Sequence, residues 1–136
     1  MPEMQAKTTL LSAAVAGFTG VALGAFGAHG LKQVLSEKML TVWQTAVQYH
    51  LVHSVVLLAL AVVLLLLPSG ASKTWLQRSA TLMVIGLLLF SGSLYAMALT
   101  DIRPLGMITP IGGVSWLIGW GLMAVAALKL PDSKQA

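Results

Sequence analysis

Cysteine is absent from this chain of 136 residues, so no disulfide framework, thiolate metal site, haem-attachment motif or cysteine nucleophile is available. Charge is scarce as well. Charged residues make up 9% of the chain, where a soluble domain carries roughly 25%. Eight Lys/Arg, four Asp/Glu and three His cannot coat a globule of this size. The shortage excludes an ordinary soluble enzyme, a disordered chain and a nucleic-acid-binding domain. The net charge of +4 is not a nucleic-acid footprint. The basic residues stand singly and flank apolar runs, as positive charge does at membrane boundaries. No charged residue lies deep in an apolar run, so there is no evident proton relay, counter-ion or voltage sensor.

What the chain has in abundance is apolar length. Hydrophobic residues reach 57%, and the mean hydropathy is +0.88. A bilayer core of about 30 Å needs roughly 20 apolar residues in a helix. Four runs meet that length, at about residues 8–28, 47–67, 79–99 and 108–130. A helix satisfies its own backbone polar groups, so such runs read as spanning helices. The first resembles a secretory signal but is longer than the ~7–15 apolar residues of one. It reads as an uncleaved span.

Between the first two runs, Leu31, Val34, Leu35, Met39, Val42, Trp43, Ala46 and Val47 recur in steps of three and four. That is an amphipathic helical stripe, lying along the interface or extending the second helix outward. Gly30 is a candidate breaker and Ser36 a candidate N-cap. The remaining connections are short: a Gly/Ser turn at 69–73 followed by 74–78, and a polar turn at 101–106. Short connections predict an all-α, antiparallel four-helix membrane bundle forming one domain over 1–136. Asp101 and Arg103 read as a local ion pair in the third loop. Lys7, Lys73, Arg78, Lys129 and Lys134 fall on one side, Lys32, Lys38 and Arg103 on the other. The bias places both termini in the cytoplasm.

Small residues repeat along the spans. Ala13, Gly17, Gly20, Gly24 and Gly27 form one stripe on the first helix; Gly112, Ser115 and Gly119 form another on the fourth; Gly92 and Ala96 sit on the third. Such faces let backbones approach closely where lipid supplies no hydrophobic drive. They predict a nearly solid bundle, with a lipid groove or a contact between copies as alternative uses. The tryptophans Trp43, Trp75, Trp116 and Trp120 are mostly expected at the interfaces, with Trp116 and Trp120 deeper and packed.

Chemistry has few carriers. His50 and His53 are three residues apart near the start of the second run, and His29 ends the first on the same membrane side. They are expected as interfacial polar residues, with haem, quinone or metal ligation as the alternative. Ser91, Ser93 and Tyr95 lie inside the third span, where serine usually bonds a carbonyl. No motif places a base beside them, so a serine nucleophile is not expected.

Several segments carry a resemblance. Gly24-Ala25-Phe26-Gly27-Ala28-His29-Gly30, the stretch from Thr45 to His53, Phe90-Ser91-Gly92-Ser93-Leu94-Tyr95, and Thr109-Pro110-Ile111-Gly112-Gly113 with Gly119-Trp120 look like the signatures of the domain of unknown function 423 family. The resemblance covers nearly the whole chain. Gly30 departs from it, standing where alanine is frequent. It implies small four-helix proteins of bacterial inner membranes, and no activity, cofactor or catalytic residue. The matching polar residues His29, Tyr49, His53, Ser91, Ser93, Tyr95 and Thr109, with His50, form the candidate cluster. The expectation is a non-enzymatic scaffold, without cofactor or metal, that binds membrane lipids, a hydrophobic ligand or a membrane partner such as a second copy. The alternative is a small oligomeric transporter or channel with a histidine-lined path.

Overall fold

The structure is a computed structural model and describes residues 4–132. Lys134, counted in the charge bias, lies outside the described residues. The described residues are all helical or turn, without strand. Four helical segments are long and apolar enough to cross a membrane.

The first is α1 (Ala6–His29), which ends at Gly30 as the breaker reading requires. The second is α2 (Glu37–Leu66). Ser36 caps it: the Met39 N–H donates to Ser36 Oγ at 3.2 Å, relieving one of the orphan donors of a helix start. The helix stops before Pro68, which bars αR geometry at Leu67. Of the two alternatives for the amphipathic stripe, the structure takes the extension. Residues 37–47 are continuous with α2, and Met39 and Trp43 pack with Leu31 and Ala98 in a small core. Trp43 is thus no interfacial anchor; it is 1% exposed, and its indole N–H donates to Leu23 O of α1 at 2.9 Å.

The third span is one helix in three parts: α3 (Ala71–Gly86), a π-helical turn Leu87–Ser91, and α4 (Gly92–Thr100). It starts eight residues before the apolar run, since hydropathy marks where lipid begins and backbone hydrogen bonding continues past it. Asp101 closes it in the left-handed conformation at φ 56°, its N–H bonding Met97 O. The ion pair with Arg103 forms at 3.4 Å on the surface. A 3-10 turn over Arg103–Met107 leads into α5 (Thr109–Leu128), with Pro110 in its first turn.

Packing is uneven. α5 lies along α3 and the π-turn, and α2 lies against α4 and the π-turn. α1 lies along α2 and makes little contact with the other helices. The main core joins Leu57, Leu60 and Leu64 of α2 to Ala80, Met83 and Trp116. Large apolar side chains point outward, Phe18, Leu66, Leu88 and Leu117 among them, while Thr9, Ser54, Ser79, Ser91 and Ser115 are buried. Polar inside and apolar outside is the arrangement lipid demands.

The buried hydroxyls tie helix to helix. Ser72 Oγ donates to Ala126 O at 2.9 Å, Ser79 Oγ to Gly119 O at 2.7 Å, and Ser115 Oγ to Leu82 O at 2.8 Å. The Trp116 N–H donates to Met83 O at 3.0 Å. Glycine makes these approaches possible. Gly112 lies against the backbone of Leu89 and Phe90, and Gly86 against the Trp116 ring. Gly119 faces Met83, and Gly20, Gly24 and Gly27 face Leu51, Val47 and Trp43 of α2. Gly17 and Gly92 depart from the expectation: a Cβ at either meets nothing within 4 Å. Their stripe spacing puts them on a face that no helix covers. The bundle is therefore solid between α3 and α5 and open beside α1.

Candidate functional site

His50 lies midway along α2, deeper than the edge position expected of it, because α2 begins ten residues before the apolar run does. It is buried at 6% exposure. Its Nδ1 is 2.8 Å from Tyr95 Oη of α4, and its Nε2 is 3.2 Å from Thr19 Oγ1 of α1. One imidazole thus links three of the four spans. The chain of protons follows from the partners. Thr19 has one hydroxyl proton and spends it on Val15 O at 2.8 Å. Its oxygen therefore accepts from His50 Nε2–H. With the proton on Nε2, Nδ1 is the acceptor, and the Tyr95 O–H donates to it.

These residues stand in the wall of the open region beside α1. The cleft has a volume of about 480 Å³, inside the ~300–1,000 Å³ range of small-molecule sites. Leu11, Val15 and Thr19 form one wall, His50 and Leu57 the floor, and Leu88, Gly92 and Tyr95 the far wall. No charged side chain lines it. Gly92 widens the cleft by contributing no side chain.

His53 is placed differently. It is 5% exposed and lies flat on the Trp116 ring, with centroids 3.7 Å apart and planes 3° apart. Its Nδ1 is 2.8 Å from Tyr49 O, a carbonyl, so Nδ1 carries the proton. Its Nε2 accepts from the Trp120 N–H at 3.4 Å. Tyr49 and Phe90 complete the aromatic cluster, which opens outward as a shallow groove of about 370 Å³.

The sequence-derived cluster therefore divides. His50 and Tyr95 meet at the cleft; His53 and Tyr49 join Trp116 and Trp120 at the α2–α5 seam. Ser91 donates to Ala46 O at 2.9 Å, and Ser93 pairs with Thr109 at 2.6 Å, both joining helices. His29 is exposed at the end of α1 and joins neither group. No three His, Asp or Glu among the described residues stand together as a metal site, and both ring nitrogens of His50 and of His53 are already engaged. Sequence reasoning missed Thr19. A threonine inside a span is weak evidence alone, and its partner on α2, His50, lies 31 residues away.

Comparison with known proteins agrees with the fold. Residues 23–113 match the family described as "Protein of unknown function (DUF423)". The UPF0382 membrane protein YwdK of Bacillus subtilis is 43% identical over 123 residues, 90% of this chain and 98% of that one. The UPF0382 inner membrane protein YgdD of Escherichia coli K12 is 41% identical over 127 residues, 93% of this chain and 94% of that one. A UPF0382 membrane protein of Staphylococcus epidermidis is 40% identical over 123 residues, covering 90% and 97%. No solved structure matches significantly. A four-span helical chain with relatives of this identity over nearly its whole length belongs to the DUF423 family of membrane proteins.

Proposed function

We propose that this protein binds a hydrophobic chain within the membrane, in the cleft between α1, α2 and the third span, and performs no chemistry on it. The observation that carries the reading is the cleft itself: an apolar space of about 480 Å³ beside a helix that packs mainly on α2, with hydrogen-bonding groups converging at one point of its wall. Apolar walls with a few placed polar groups are the usual form of a ligand site. The bacterial inner membrane is the proposed location, in keeping with the name of the Escherichia coli relative. Both termini are proposed to face the cytoplasm, in keeping with the Lys/Arg bias. The placement of His29 apart from His50 and His53 gives no support to a histidine-lined path.

The test is retention of ligand. Native mass spectrometry of protein purified in mild detergent should find an apolar adduct on the wild type. At Gly92 a Cβ meets nothing within 4 Å, so Gly92→Leu extends a side chain into the cleft and should remove the adduct. Gly17→Leu, where a Cβ is likewise free but the position is not in the cleft lining, should keep it. A wild type free of adducts, or an adduct unchanged by Gly92→Leu, overturns the proposal. So does a cross-link through the cleft to a second copy.

A further inference from the structure

We infer that the chain held in the cleft is uncharged and ends in a hydrogen-bond donor, a hydroxyl, received by the phenol oxygen of Tyr95. The inference rests on the cleft reading above and adds the chemistry of the ligand's head. Charge is excluded first. No Lys, Arg, Asp or Glu lines the cleft, and an unpaired charge in so dry a place is strongly disfavoured. A phosphate or ammonium head has no counterpart here.

The sign of the hydrogen bond follows from the proton chain. Thr19 gives its proton to Val15 O, His50 gives Nε2–H to Thr19, and Tyr95 gives its proton to His50 Nδ1. Every donor in the chain is spent on protein. What remains beside His50 is the lone pair of Tyr95 Oη, an acceptor; the remaining hydroxyl in the lining, Ser12, lies about two helical turns from Thr19 along α1. A ligand hydroxyl completes the Tyr95 acceptor. An ether or ester oxygen brings a second acceptor and leaves both unpaired. The orientation is set at the far end, where Thr19 Oγ1 and the Ala16 carbonyl both stand as acceptors for Nε2–H. A diacylglycerol and a free prenyl or fatty alcohol both present such a hydroxyl.

The experiment compares three photoreactive probes on the full-length protein in nanodiscs: a hexadecanol carrying a mid-chain diazirine, its methyl ether, and the matching alkyl phosphate. Labelled peptides are mapped by mass spectrometry. The alcohol should label α1 and α3–α4 cleft residues roughly three- to tenfold more than the ether, the worth of one hydrogen bond, and more than the phosphate. Tyr95→Phe should bring alcohol and ether level. Thr19→Val serves as the packing control: the Ala16 carbonyl still accepts from His50 Nε2–H, Tyr95 keeps donating to Nδ1, and the preference for the alcohol should persist. A preference for the ether in this variant overturns the head-group inference. Equal cleft labelling by alcohol and ether in the wild type, or a preference for the ether or the phosphate, overturns the head-group inference and leaves the cleft reading standing. No cleft labelling by any probe overturns the cleft reading. Competition by dioctanoylglycerol or by geranylgeraniol identifies which source of hydroxyl fits; competition by neither counts against the inference.

Discussion

Gly112 is the position where a single methyl group should do most damage. It is buried in α5, and a Cβ there meets the backbone of Leu89 and Phe90 in the π-helical turn. Backbone cannot rotate away as a side-chain tip can, so Gly112→Ala must push α5 off the third span. The bonds from Ser115 to Leu82 O and from Trp116 to Met83 O lie within the next turn and lengthen with it. Overpacking of a closed interface costs about 1–3 kcal/mol, and the upper part applies where backbone is the obstacle. Alanine returns about 0.8–1 kcal/mol of helix propensity. The net expectation is a loss of roughly 1–2 kcal/mol. Gly17 and Gly92 supply the control, because a Cβ at either meets nothing. Gly17→Ala and Gly92→Ala should gain up to about 1 kcal/mol from propensity alone. Reversible unfolding in mixed dodecylmaltoside and dodecyl sulfate micelles, followed by circular dichroism, reads all three. Gly112→Ala matching either control in stability would refute the claim that close backbone contact holds α5 in place.

Ser36→Ala should destabilise the same unfolding transition by about 1 kcal/mol, the ordinary worth of an N-cap, whereas Arg103→Ala should change it by less than about 0.5 kcal/mol because the pair with Asp101 is exposed. A reporter that is active only in the cytoplasm, fused after residue 136, should be active; activity of a periplasm-only reporter at that junction would reverse the proposed topology.

The spans were legible because they depend on the sum of some twenty neighbouring residues, and lipid imposes that sum. The N-cap at Ser36 and the break at Gly30 were legible for a similar reason: their partners lie within one helical turn. What escaped reading depends on which helix lies beside which. Gly20, Gly24 and Gly27 behave as their spacing suggests, yet Gly17 on the same stripe meets nothing, since α2 covers only part of that face. Gly86 was not part of any stripe and proves to be the seat of the Trp116 ring. The π-helical turn left no local trace either. It lies where Gly112 lets the α5 backbone approach and where Ser91 reaches Ala46 O on α2, so the contacts that accompany it are on two other helices.

The same distinction explains why the histidine pair divides. A spacing of three places His50 and His53 about 60° apart around α2. On an isolated helix that makes them neighbours. In the bundle, α2 is flanked by α1 and α4 on one side of that wedge and meets Trp116 and Trp120 of α5 on the other, so each ring enters a different interface. A small angular difference becomes a division of roles: one imidazole stacked and enclosed among indoles, the other left at the wall of the cleft beside α1. Binding at that wall asks nothing of His53, which is why substitutions at the aromatic seam should alter stability before they alter what the cleft retains.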